Sequence, residues 1–250
     1  MLRVAGARGL GACRAATRRR LSTAMASHKP PRELRSDQDL YDLADQSKST
    51  VLLIGSGASF QYADASRALQ DTLKVLREEN LYSDDQQVPA EELRKTLVFF
   101  GGDTAKDDAP DLGWLVRAVK RELGAKATVV SFQSWPETQE EFVDYVFRYE
   151  REFDEGGREL WGGTDELGGP VAATRHYLSE RMQATLDCLV CVGGGTISRS
   201  ELSFALRGGA LRRHRYVRAE VRKKRPGCSE YGPAHDWYLE NWLGAPLEKE

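Results

Sequence analysis

From residue 50 onward the chain alternates between short unbroken apolar runs and longer stretches in which apolar side chains recur every three or four residues. An unbroken run bounded by turn residues predicts a strand covered on both faces, and the three-to-four spacing predicts a helix with one buried side. On that basis Thr50 to Ile54, Thr96 to Phe100, Ala127 to Phe132 and Cys188 to Val192 are strands. Helices are predicted over Ala63 to Leu76, through Ala65, Ala68, Leu69, Leu73 and Leu76, and over Asp111 to Leu123, through Leu112, Leu115, Val116 and Val119. An acidic, aromatic helix is predicted near Glu137 to Phe153. Another runs over Pro170 to Leu186, where the opening proline forfeits no helical N–H bond. A short helix through Leu40, Leu43 and Ala44, capped by Asp37 or Asp39, precedes the first strand, and His235 to Leu243 closes the chain as a helix. The alternating Tyr216 to Val221 reads as an edge strand that its basic residues guard from further pairing. Strands alternating with helices throughout predict an α/β fold, a Rossmann-like doubly wound parallel sheet.

Each of three predicted strands ends in small residues. The turns are Gly55-Ser56-Gly57-Ala58-Ser59, Gly101-Gly102-Asp103-Thr104, and Gly193-Gly194-Gly195-Thr196 with Ser198 beyond. Glycine at the carboxyl end of a strand lets a ligand approach the backbone without meeting a Cβ, and the unpaired N–H groups of the next helix favour an anion, usually phosphate. The turns therefore nominate Gly55, Gly57, Ser59, Gly101, Gly102, Thr104, Gly193, Gly194, Gly195, Thr196 and Ser198 as binding residues for a nucleotide ligand. Asp103 suits a ribose hydroxyl or the cap of its own turn. Trp135 and Trp161 suit stacking on a base, or the core.

Composition changes this picture at the amino end. The chain has 250 residues, 40% hydrophobic and 30% charged, which fits a single α/β domain. Six arginines precede Leu21 and the first acidic residue is Glu33, so residues 1–21 have the composition of an organelle transit peptide and predict a mitochondrial matrix location. Residues 22–49 are then linker and short helix, and residues 50–250 the nucleotide-binding domain. Without the leader, Lys plus Arg falls from 36 to 30 against 38 acids, a formal charge of −8. An acidic body of that kind argues against nucleic acid as partner. No apolar run is long enough to span a membrane. A homo-oligomer or a larger mitochondrial assembly stays open.

The remaining chemistry is sparse. Cys188 and Cys191 are spelled CxxC, but an odd offset on a strand sends them to opposite faces, as core residues. His176, His214 and His235 form no metal-binding spacing, so no metal or firm cofactor is expected. The first glycine loop begins like a dinucleotide fingerprint, with Glu78 or Glu79 at the distance of a ribose-binding acid. Phe60 stands where that motif requires its third glycine, which leaves an NAD(P)-dependent oxidoreductase as a minor reading.

Taken together, the strand ending GSGAS, the strand ending FFGGDTA before DLGWLVRAV, and a helix carrying Arg181 and Met182 before DCLVCVGGGTISRSE resemble the SLOG superfamily. That Rossmann-like group includes the LONELY GUY-type phosphoribohydrolases. The resemblance implies that the glycine turns hold the phosphate and ribose of a nucleotide-derived ligand. The hydrolases of the group carry PGG-x-GT closely followed by Glu, with an upstream Arg. Here Val192 takes the place of the proline, the glycine-threonine segment is one residue shorter, and Glu201 follows Thr196 by five. The resemblance implies hydrolysis of an N-glycosidic bond in a nucleoside monophosphate, with Glu201 and Asp103 as catalytic groups and Arg181 on the phosphate. A non-catalytic nucleotide sensor, or a subunit of an assembly, is the competing reading. Glu201 also suits the amino end of its helix and Arg181 a solvated face.

Overall fold

The computed structural model describes residues 30–55, 60–82, 96–101, 110–133, 141–160, 163–164, 169–207, 209, 211, 213–222 and 227–243. The first half contains β1 (Arg32–Leu34), α1 (Asp37–Asp45), β2 (Ser49–Gly55), α2 (Tyr62–Glu78), β3 (Thr96–Gly101), α3 (Leu112–Leu123) and β4 (Ala127–Gln133). Then come β5 (Tyr145–Arg148) and a small antiparallel hairpin of β6 (Glu152–Phe153) and β7 (Glu159–Leu160). The rest comprises α4 (Ala172–Tyr177), α5 (Glu180–Thr185), β8 (Cys188–Val192), α6 (Thr196–Arg207), β9 (His214–Val217) and α7 (Pro233–Tyr238), which runs into a π-helical turn over Leu239–Leu243.

Seven strands form one sheet in the order β1-β5-β4-β3-β2-β8-β9, and every pairing in it is parallel. The continuous apolar runs follow from burial on both faces. Val51, Leu53 and Val98 point into a core with Ala68 and Leu76 of α2 and Leu115, Val116 and Val119 of α3. Leu52, Ile54 and Phe99 point the other way, into a core with Leu40 of α1, Met182 of α5, and Leu202 and Ala205 of α6. Each of the fully buried Val, Leu, Ile, Phe and Met side chains among these stabilises the fold by roughly 1.5–3 kcal/mol relative to exposure. The result is helix, sheet, helix, a doubly wound Rossmann-like architecture. Cys188 and Cys191 fall into opposite cores, as the odd spacing requires.

Four local expectations are corrected. No helix forms near Glu137 to Phe153 among the described residues; β5 stands there, and Asp144 ahead of it accepts from the Val129 amide (2.8 Å) and the Lys120 ammonium (2.7 Å). The predicted Pro170 to Leu186 helix is two helices. The break is set by Ser179, whose hydroxyl accepts from the Met182 amide and caps α5. The short first helix is capped by Ser36 rather than Asp37 or Asp39, and Asp39 instead completes the capping box. Residues 32–45, expected as linker and helix ahead of the domain, belong to it: β1 pairs with β5 at the sheet edge, and Leu40 and Ala44 of α1 enter the core.

The strand order turns back at β2. Chain flow from β2 goes to β3 on one side, and β8 lies on the other. The helices that follow the two strands cover opposite faces, α2 one and α6 the other. The carboxyl ends of β2 and β8 are consequently the topological switch point of the sheet, the position at which open α/β sheets bind ligands.

Candidate functional site

Around the switch point lie the end of β2 at Gly55, the end of β3 at Gly101, and the turn from β8 into α6. Gly193 and Gly194 both have positive φ, 57° and 128°. Their Cα atoms face protein. A Cβ at Gly193 would stand 3.1 Å from the Ala219 carbonyl oxygen. One at Gly194 would stand 2.6 Å from Ser198 Cβ and 3.0 Å from Ala234 Cβ. These two glycines are required by the chain's own path and packing. At Gly55 a Cβ would lie 2.5 Å from the Val192 carbonyl oxygen, so this glycine too is held by its neighbour strand. Gly195 differs, because a Cβ there meets nothing within 4 Å and its φ is not positive. It is the glycine of the triplet that presents open backbone.

Gly195 also starts α6, its carbonyl accepting from the Arg199 amide at 3.0 Å. The first turn of any α-helix leaves N–H groups without intrahelical acceptors, which attract an anion. No acidic residue opposes that in the first turn of α6. The Thr196 hydroxyl is buried there with no hydrogen-bond partner among the described residues. Ser198 is spent on structure: it is buried, and its hydroxyl donates to the Gly55 carbonyl at 2.6 Å, pinning α6 to the end of β2.

Glu201 lies in the second turn of α6, buried at 7% exposure. Its Oε1 accepts a short hydrogen bond from the Tyr177 phenol at the end of α4. Burial pushes the Glu201 carboxyl up from 4.5 to about 7, and the Tyr177 bond pulls it back. Tyr177 itself is raised well above the usual phenol range by burial and then by the Glu201 charge. The pair reaches toward the end of β3, since a Cβ at Gly101 would stand 4.0 Å from the Tyr177 oxygen. A carboxyl near neutrality beside a glycine-bearing switch point is suited to take or give a proton.

The structure gathers Gly55, Gly101, Gly193, Gly194, Gly195, Thr196, Ser198 and Glu201 at one edge of the sheet. Gly57, Ser59, Gly102, Asp103 and Thr104, with Trp135 and Trp161, lie outside the described residues. Arg181 is elsewhere: its guanidinium carbon sits 3.8 Å from the centroid of the Tyr41 ring, with a nitrogen 3.4 Å from Gln38 Oε1, so it is docked on α1. Its assignment to a ligand phosphate finds no support in that position. Glu78 and Glu79, offered for a dinucleotide ribose, are at the far end of α2, which returns to the amino edge of the sheet. There Glu79 pairs with Arg213 (3.0 Å) and Arg215 just ahead of and within β9. Phe60 is fully buried and stands beside Gly193, filling the space a dinucleotide motif keeps clear. Tyr177 was missed from the sequence, because nothing in its spacing links it to Glu201.

Burial raises the Cys188 thiol to about 12 and carries Cys191 well above its usual value, so both are inert packing residues. Among the described residues no group of three His, Cys, Asp or Glu side chains is placed to hold a metal. No described helix is long and apolar enough to cross a membrane.

No family model matches the chain, and no curated protein matches it. Among solved structures it is similar to TM1055, a structural-genomics X-ray structure, with 18% identity and a TM-score of 0.35 over 64% of this chain and 70% of that one. It is also similar to the Moco carrier protein from Chlamydomonas reinhardtii, with 13% identity and a TM-score of 0.38 over 78% of this chain and 85% of that one.

Proposed function

We propose that the chain binds a nucleotide or nucleotide-derived phosphate ligand at the switch point between β2 and β8, and hydrolyses the N-glycosidic bond of a nucleoside monophosphate there. The observation that carries the reading is Glu201: a buried carboxyl with its pKa raised to about 7, in the second turn of the helix whose amino end holds Gly195 and a threonine hydroxyl that has no partner among the described residues. Phosphate lies against the first turn of α6, where the Gly195 backbone and Thr196 face it. The ribose then points along α6 toward Glu201.

Hydrolysis requires water to add at the anomeric carbon as the carbon–nitrogen bond breaks, through an oxocarbenium-like sugar. Ionised Glu201 stabilises the sugar cation by its charge and accepts the proton of the attacking water; the departing base leaves with the bonding pair and takes that proton from Glu201, which returns to its ionised state. Asp103 is the group offered by the sequence for the ribose hydroxyls. The arginine-rich leader supports a mitochondrial matrix location for this activity.

The test is release of free base from a panel of nucleoside monophosphates, with thermal shift recorded on the same panel. Turnover by the wild type that falls about 10²–10⁴-fold in Glu201→Gln is the expected result. Turnover that survives the substitution sinks the catalytic role. Nucleotide-induced stabilisation without turnover of any panel member moves the protein to the sensor reading, and no stabilisation by any nucleotide sinks both.

A further inference from the structure

We infer that Tyr177 is the positioning residue for Glu201, its phenol fixing the carboxyl near the carboxyl edge of the sheet while Phe132 holds the ring and Thr174, tied to the backbone of Gly163, tunes the phenol. The inference rests on the role proposed for Glu201, and it assigns the regulation of that group's proton to a side chain on a different helix. Three observations converge on it. The phenol donates to Glu201 from 24 residues away in the chain, so the bond joins α4 to α6 across the protein interior. The Tyr177 ring is itself immobilised, edge-on against Phe132 of β4 with ring centroids 5.2 Å apart. Finally, Thr174, one turn earlier on α4, is fully buried and lies close enough to the phenol to lower its proton affinity, and its oxygen accepts from the Gly163 amide at 2.7 Å.

Gly163 closes the chain of contacts. It has φ of 87°, and a Cβ there would stand 3.1 Å from Ser200 Cβ and 3.3 Å from the Ile197 carbonyl oxygen. The backbone at Gly163 thus lies directly on the first turns of α6, beside the open Gly195 end. One hydrogen bond ties that backbone to Thr174, and another joins Tyr177, one turn further along α4, to Glu201. Thr174 lowers the proton affinity of the phenol, which makes it a stronger donor to the carboxylate. Among the described residues, the other titratable groups that act on the pair are Cys191 of β8 and Tyr149 beyond β5. Neither is a cation, so the phenol is the group that favours the ionised carboxylate.

A tyrosine that merely fills the core would leave the proton affinity of Glu201 unchanged when only its oxygen is removed. A positioning tyrosine would not. The experiment is a carbon-13 NMR titration of the side-chain carboxyls in the full, ligand-free chain labelled at glutamate, with Glu201→Gln assigning the resonance. Tyr177→Phe should raise the Glu201 midpoint by about 1–2 pH units, the equivalent of one hydrogen bond to a charged group. Thr174→Val should raise it in the same direction by less. Should Tyr177→Phe not fold, Thr174→Val alone decides. A midpoint that stays in place or falls overturns the inference. Because the titration needs neither ligand nor turnover, a nucleotide panel that fails leaves it standing, and an unmoved midpoint leaves the panel result standing.

Discussion

Replacing Glu201 by Gln should stabilise the protein at alkaline pH relative to the wild type, and the advantage should shrink as the pH falls. The carboxyl is raised from 4.5 to about 7 in the folded chain, with burial as the leading cause. A raised carboxyl binds its proton more tightly folded than unfolded. Its contribution is therefore fully present below about pH 4.5 and is lost progressively as the pH climbs through about 7. At about 1.4 kcal/mol per unit, the full loss is about 3 kcal/mol. Glutamine keeps an oxygen that accepts from Tyr177 and never ionises, so whatever else the substitution costs does not depend on pH.

The measurement is urea unfolding of both chains at about pH 5 and about pH 8.5, across which the difference in stability should move by about 2–3 kcal/mol in favour of the variant. For a chain of this size that is about 1 M in the urea midpoint. His214 and His235, both held low by burial, titrate with the opposite sign, since a depressed histidine adds stability as the pH rises. They are common to both chains and cancel in the difference. A difference that is flat with pH, or that moves toward the wild type at high pH, would show Glu201 to be an ordinary ionised carboxylate and remove the basis for acid–base work.

Gly195→Ala should leave the thermal midpoint nearly unchanged while abolishing any nucleotide-induced shift, because its Cβ enters open space at the helix start. Gly194→Ala should instead lower stability, by about 1–3 kcal/mol for the strained φ alone, since its Cβ also meets Ser198 and Ala234; equal midpoints for the two variants would refute the distinction. Ser198→Ala leaves the Gly55 carbonyl without its 2.6 Å donor and should cost about 1–3 kcal/mol in urea unfolding, whereas an unchanged midpoint would mean water replaces the hydroxyl. Residues 1–35 fused to a fluorescent reporter should direct it to mitochondria; a diffuse cytosolic signal would refute the leader reading.

The sheet centre was legible because strands buried on both faces leave an unbroken apolar run, as in β2, β3, β4 and β8. The same logic explains what was misread. Phe142, Val143, Val146 and Phe147 are spaced like one face of a helix, yet they belong to a bend and a strand, and Asp144 between them is tied to β4 and α3. Apolar spacing records which side chains are buried, and a turn followed by a strand can produce the same record as a helix. β1 was invisible for a different reason: Arg32 and Glu33 are exposed and Leu34 alone is buried, so an edge strand of three residues carries no periodic signal at all.

At the site, glycine identity was readable but its cause was not. A triplet after a buried strand signals that side chains are excluded, without saying whether protein or ligand excludes them. The structure separates the two: Ala219, Ser198 and Ala234 exclude side chains at Gly193 and Gly194, and nothing among the described residues does so at Gly195. The same separation applies to the polar residues that follow. Ser198 faces a carbonyl of its own chain, while the Thr196 oxygen, two residues earlier, is buried without a partner among the described residues. Burying a hydroxyl without a partner costs about 1–3 kcal/mol, which a bound anion acceptor at the helix start would recover. Gly195 and Thr196, rather than the triplet as a whole, are accordingly where ligand binding should be sought. A Thr196→Val chain that is no less stable alone but is no longer stabilised by nucleotide is the outcome this argument requires; equal stabilisation of both chains would return Thr196 to the packing residues.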